Sequence, residues 1–200
     1  EPVVLSMAKA FPDAVVHTSL YEPEATFPDF ADLDVRTMPI NRLGVLRRDH
    51  RRGLPLYPAC FSATKVDAEV VLCSSSGFAH GVRTDGTKVV YCYTPPRWLY
   101  DQAATYMDQW PTPVAWAIRA LGPGLRAWDR RAAASADGYL TTSTTVQQRI
   151  RDAYGIDSRL VAPGSPVEVD GPRSPVPGLG AGFALCVSRL LSYKHVEAVA

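Results

Sequence analysis

Cysteine is scarce in this 200-residue chain, and its four copies, Cys60, Cys73, Cys92 and Cys186, stand far apart. No CxxC pair occurs, so the ligand spacing of a zinc site is missing. Three of the four fall in predicted strands or apolar segments, which predicts buried, reduced thiols and a cytosolic setting. No run is long and apolar enough to cross a bilayer, and no signal peptide opens the chain. Charge of one sign is lacking too. With 21 Lys and Arg against 20 Asp and Glu, attraction of the whole surface to nucleic acid is not expected. Internal repeats are absent. A nucleophile elbow of the Gly-x-Ser-x-Gly type is missing, and Ser74-Ser75-Ser76-Gly77 does not replace it, which argues against a serine hydrolase using His80. The glycines of Gly178-Leu179-Gly180-Ala181-Gly182 precede an apolar run instead of following one, which argues against a dinucleotide-binding oxidoreductase.

What is present suffices for a sizeable core, since 46% of the residues are hydrophobic, enough for one domain and some additional chain. The first residues, Glu1 to Phe11, read as a helix already under way, as though the chain were cut there. Short β-rich runs then alternate with helical stretches. Strands are expected at Ala14–Thr18, Asp34–Met38 (edge-like), Val70–Cys73, Lys88–Tyr93, Gly138–Thr142 and Arg159–Ala162. The clearest helices are Gln102–Gln109, Leu125–Ser135 and Thr144–Tyr154, the last with Ser143 as amino-terminal cap and Gly155 as its stop. Such alternation predicts an α/β fold with a Rossmann-like parallel sheet covered on both faces. Ligands of these sheets bind beyond the carboxyl ends of the strands, which directs attention to 74–77, 93–97 and 142–143.

Residues 163–182 are rich in Pro and Gly and read as a linker. It would separate a first domain, 1–162, from the start of a second, 183–200, that breaks off early. In the second, the strand Phe183–Val187 runs into Ser188-Arg189, with Lys194 where a helix opens. A guanidinium and an ammonium beside a helix amino terminus form a recipe for holding phosphate. A cleft between the two sheets would set this pair opposite the strand ends of the first.

Several separated segments carry a resemblance: Cys73 to Val82, Tyr91-Cys92-Tyr93-Thr94-Pro95-Pro96-Arg97-Trp98-Leu99-Tyr100-Asp101, Leu125 to Ala133, Asp137 through Ser143 to Gln148-Arg149-Ile150 and Tyr154-Gly155, and Ser188-Arg189 with Lys194-His195. In order and spacing they resemble glycosyltransferase family 4, retaining enzymes of the two-Rossmann-domain GT-B fold, and most of all its bacterial O-antigen mannosyltransferase-like members. The resemblance spans nearly the whole chain. It implies transfer of a sugar, mannose from GDP-mannose, with retention onto a glycan or glycolipid in polysaccharide biosynthesis. By it, Arg189 and Lys194 bind the donor diphosphate, and Ser76, Gly77, Tyr93, Thr94, Arg97 and Ser143 line the acceptor side of the cleft. No metal and no cofactor beyond the nucleotide sugar is implied. Tyr93 stands where family members commonly carry histidine, so the catalytic residue stays unknown. That departure keeps open an alternative, a non-catalytic sugar- or nucleotide-binding degenerate transferase domain. The family's paired glutamates would follow Ala200, and its glycine-rich loop would precede Glu1, so this fragment alone is expected to be inactive.

Other residues have plainer readings. Trp98 is expected to anchor a packed loop, with Asp101 capping or pairing nearby. His17 is expected to be a satisfied core residue. Arg126, Asp129, Arg130 and Arg131 are expected to form a solvated, partly paired helix face around the anchor Trp128. Arg42 to Arg52 mixes leucines at helical spacing with cations, which reads either as peripheral contact with an anionic membrane or as an exposed polar helix or loop. The expected location is cytoplasmic, peripheral at the inner face of the cell membrane.

Overall fold

The computed structural model describes residues 2–104 and 112–164, and beyond them 177–178, 180, 182, 186–188 and 196–198. The chain divides into two compact units, Glu1–Gly164 and Ser165–Ala200. The first is α/β, and its described strands are all parallel. After helix α1 (Pro2–Ala10), strands β1 (Val16–Thr18) and β2 (Val35–Thr37) form a two-stranded sheet. Two short helices follow, α2 (Gly44–Arg48) and α3 (Tyr57–Ala63). A four-stranded sheet comes next, built from β3 (Val70–Ser75), β4 (Thr87–Cys92), β5 (Gly138–Thr141) and β6 (Arg159–Leu160) in sequential order. Helix α4 (Thr112–Ala134) connects β4 to β5, and α5 (Thr144–Tyr154) connects β5 to β6.

The six strands expected in the first unit are present, with ends that differ from the expected ones by at most two residues. The single sheet that the alternation suggests is instead two sheets among the described residues. Covering is also one-sided. Register aligns Cys73 with Val90 and Tyr139, and Ser75 with Cys92 and Thr141, on one face of the larger sheet. All six are buried, against Tyr57 of α3, Ala133 of α4, and Val146 and Ile150 of α5. On the opposite face Tyr91 is buried, but Val70 and Leu72 of β3 are exposed. Strand β3 lies at the margin of its sheet, and no strand among the described residues pairs with its outer side.

Local chemistry explains the helices. Ser143 adopts extended backbone and its Oγ accepts from the Val146 N–H, while Gly155 ends α5 at φ 70°, a left-handed conformation that glycine enters freely. Between these caps Val146, Ile150 and Ala153 recur at helical spacing and are buried. Helix α4 runs longer than its apolar pattern suggests, straight through Gly122-Pro123-Gly124. Proline removes one backbone donor there. Arg119, Ala120, Pro123 and Gly124 are all exposed, so water can serve the freed carbonyl. Gly81 permits a tight crossing after β3, because a Cβ there would stand 2.5 Å from Cζ2 of Trp128.

One cation is buried in the sheet. Lys88 of β4 is 4% exposed. Its ammonium donates to the carbonyls of His80 (3.2 Å) and Val82 (2.9 Å) and to Ser135 Oγ (2.7 Å), using all three protons. Burial holds its pKa below the usual lysine value, partly offset by Cys73 and Asp137.

In the second unit, Cys186 and Val187, the described part of the expected strand Phe183–Val187, carry no strand. A strand exists through pairing with a neighbour, and no pairing is recorded among the described residues of this unit. Val196–Ala198 forms a single 3-10 turn. Most of the expected linker lies outside the described residues.

The thiols sort by depth. Cys73 and Cys92 are buried, Cys60 is half-buried and Cys186 is exposed, contrary to its expected place in a strand; none forms a disulfide. Burial pushes the Cys73 thiol up to about 11 and the Cys92 thiol to about 12. Ellman's reagent should therefore modify Cys186 rapidly and Cys60 slowly, and reach Cys73 and Cys92 only after denaturation. Four equally fast thiols would contradict this packing.

Candidate functional site

The carboxyl ends of β3, β4 and β5 lie side by side, and the chain leaving them forms a polar rim. Ser76 is exposed and Gly77 half-buried just past β3, with open space where a Gly77 side chain would be. Tyr93 follows β4. Its N–H donates to the Ser75 carbonyl at 2.9 Å, extending the pairing by one residue, and its hydroxyl lies 2.9 Å from Ser74 Oγ. Its ring meets Tyr91 edge-on at 5.3 Å. Thr94 Oγ1 donates to the Pro95 carbonyl, and Thr141 Oγ1 to the Cys92 carbonyl. Ser143 closes the rim beyond β5, its oxygen committed to capping α5.

Arg97 and Asp101 lie on the turn that follows. The Asp101 carboxylate stands 3.7 Å from Nε of Arg97 and 3.2 Å from Nε of Arg149 on α5. Asp101 is thus shared between two guanidiniums, consistent with the pairing expected of it. Beside them a cavity of about 360 Å³ opens, lined by Pro95, Leu99, Tyr100, Arg126, Arg149 and Ala153 among others. Trp98 is half-buried and its ring lies 6.3 Å from that of Phe78, in keeping with an anchor.

Beneath the rim runs a buried hydrogen-bond chain. Ser75, His80 and Asp129 are 2%, 2% and 1% exposed. Ser75 Oγ is 3.2 Å from His80 Nδ1, His80 Nε2 is 2.9 Å from Asp129 Oδ1, and Tyr100 OH donates to Asp129 Oδ2 at 2.8 Å. The Gly77 N–H donates to Ser75 Oγ at 3.3 Å. A neutral imidazole satisfies every member: Ser75 donates to Nδ1, and Nε2–H donates to the carboxylate. Arg130, whose guanidinium lies 5.9 Å from the Tyr100 ring centre, adds positive charge nearby. Burial first, then the Asp129 charge, hold Tyr100 protonated far above the ordinary tyrosine range. The set contains serine, histidine and aspartate, yet its burial leaves no face for a substrate. Its chemistry is that of a positioning network, which ties the 75–77 turn to α4 and to the turn at Tyr100.

Two expectations need correction. Asp129 does not belong to a solvated helix face; it faces the sheet, because it falls on the inward stripe Ile118, Gly122, Leu125, Asp129, Ala133 of α4. An acid at helical spacing within an apolar stripe was the available signal. His17 is exposed, not core, because β1 is a three-residue strand of a two-stranded sheet that leaves this side open. Arg189 and Lys194, the expected diphosphate ligands, lie outside the described residues. Among the described residues no group of His, Cys, Asp and Glu is arranged to hold a metal ion.

The chain matches no family model, no curated protein and no solved structure.

Removing the Asp129 carboxylate leaves His80 Nε2–H and the Tyr100 hydroxyl without an acceptor. Asp129→Ala should cost on the order of 3 kcal/mol and Tyr100→Phe about 1 kcal/mol, read from urea unfolding midpoints. An unchanged midpoint in Asp129→Ala would contradict the network.

Proposed function

We propose that this chain belongs to a retaining GT-B glycosyltransferase that moves a sugar, mannose from GDP-mannose, onto a glycan or glycolipid acceptor. The observation that carries the reading is the rim where Ser76, Gly77, Tyr93 and Thr94 gather at adjacent carboxyl ends of a parallel sheet. Ligands of such sheets bind there, and it is the rim to which the resemblance assigns acceptor contacts. Glycosyl transfer builds negative charge on the departing diphosphate, and preorganised cations aimed at it lower the barrier. In this reading Arg189 and Lys194 supply them. Tyr93 serves as a hydrogen-bonding group; its hydroxyl already forms a hydrogen bond with Ser74 Oγ, and a phenol is a weak base at neutral pH.

The reading includes contact with a membrane through 42–52, where an enzyme building lipid-linked glycans would meet its acceptor. Here Leu43 and Val45 are about half exposed. Arg42 and Arg48 are exposed and carry no ion pair among the described residues, whereas Arg47 is held by Glu22 and Arg52 by Asp49. Exposed apolar side chains beside free cations suit an anionic lipid surface. No helix among the described residues is long and apolar enough to cross a membrane.

Two measurements test the reading. In the full-length protein, Arg189→Ala should lower transfer from GDP-mannose by about 10²- to 10³-fold in a radiometric assay, and near-normal turnover would remove the donor clamp. Arg42→Glu with Arg48→Glu should release the protein from phosphatidylserine vesicles, each cation being worth about 1 kcal/mol at such a surface. Unchanged cosedimentation would remove the membrane contact.

A further inference from the structure

The cavity beside Tyr100 has a division of labour that the rim alone does not explain. Pro95, Leu99 and Ala153 give it an apolar floor, and Arg126 and Arg149 bring guanidiniums to its wall. The charged side chains that line it are Arg126 and Arg149 against Asp101 and Asp152, equal in number. Their pairing is uneven. Asp101 is taken by Arg97 and Arg149, and Asp152 accepts from Gln148 at 2.8 Å. Arg126 is half-buried and has no carboxylate partner among the described residues. Among the described residues its bond is one from Nη1 to the Leu99 carbonyl at 3.3 Å, and most of its five donors have no partner there. A half-buried guanidinium with free donors, beside a small apolar floor, fits an oxyanion attached to a ring.

We propose that this cavity is a binding subsite for an acidic pyranose, with the ring against Pro95, Leu99 and Ala153 and its carboxylate or phosphate held by Arg126. As an acceptor subsite it rests on the transferase reading and narrows the acceptor to an acidic glycan; as a binding site it stands without that reading. Tyr100 joins the cavity to the turn at Ser75–Gly77 through Asp129 and His80. A ligand pressing on Tyr100 therefore bears on the rim without touching it.

Calorimetric titration of the whole chain with glucuronate, glucose 1-phosphate and glucose tests the proposal. At least one anionic sugar should bind, glucose should bind about 10- to 100-fold more weakly, and Arg126→Gln should remove that difference. Preference for glucuronate identifies a uronate as the occupant, and preference for glucose 1-phosphate identifies a sugar phosphate. Arg159→Gln, on β6 and outside the cavity, serves as the control and should leave binding unchanged. Equal binding of glucose, no binding of any of the three, or full binding by an Arg126→Gln variant of native circular dichroism would overturn the site. No donor and no turnover enter this measurement. A chain that grips glucuronate but transfers nothing keeps the subsite and loses the transferase reading. Transfer to a neutral acceptor that is indifferent to Arg126→Gln does the reverse.

Discussion

A carboxylate shut away from water needs donors, and the arrangement that supplies them to Asp129 organises the first unit. His80 reaches it from the crossover after β3 and Tyr100 from the turn after β4, at 2.9 and 2.8 Å. Asp129 itself rides on α4. Three segments distant in sequence are thereby fixed to one another at a point from which solvent is excluded. An unpaired charge at such depth would be costly, so the segments can separate only together.

Lys88 secures the same crossover from its other side. The His80 ring is bound to Ser75 and Asp129 while its carbonyl accepts from the Lys88 ammonium. A residue held at both ring and backbone has little freedom, and Gly77, two residues past Ser75, inherits that rigidity through its N–H. Polar groups at the strand ends are thus backed by a rigid support, which suits a surface that must present hydroxyls and amides in a constant geometry.

Much of this architecture could be read from residue order. Short β-rich runs marked the six strands of the first unit, and Ser143 with Gly155 marked both ends of α5, because capping chemistry is local. What escaped detection was non-local. Asp129 stood among Arg126, Arg130 and Arg131, and that charged company suggested a wet face; only its place on the stripe from Ile118 to Ala133 indicated the sheet. The helix expected over Leu125–Ser135 in fact starts well before Gly122-Pro123-Gly124 and continues through it, where the carbonyl freed by Pro123 meets water. The rim was legible from the strand-end rule, whereas the cavity beside Tyr100 was not, since it needs Arg126 of α4 and Arg149 of α5 to meet a turn more than twenty residues before either.

The margin of the larger sheet has a consequence of its own. Strand β3 reads Val-Val-Leu-Cys-Ser-Ser, with neither a proline nor a charge from Val70 to Ser75. These are the usual devices that keep an open strand from recruiting another. Its outward row of amides and carbonyls, next to exposed Val70 and Leu72, is a ready template for one more strand. In concentrated solution this border is where self-association or aggregation would begin.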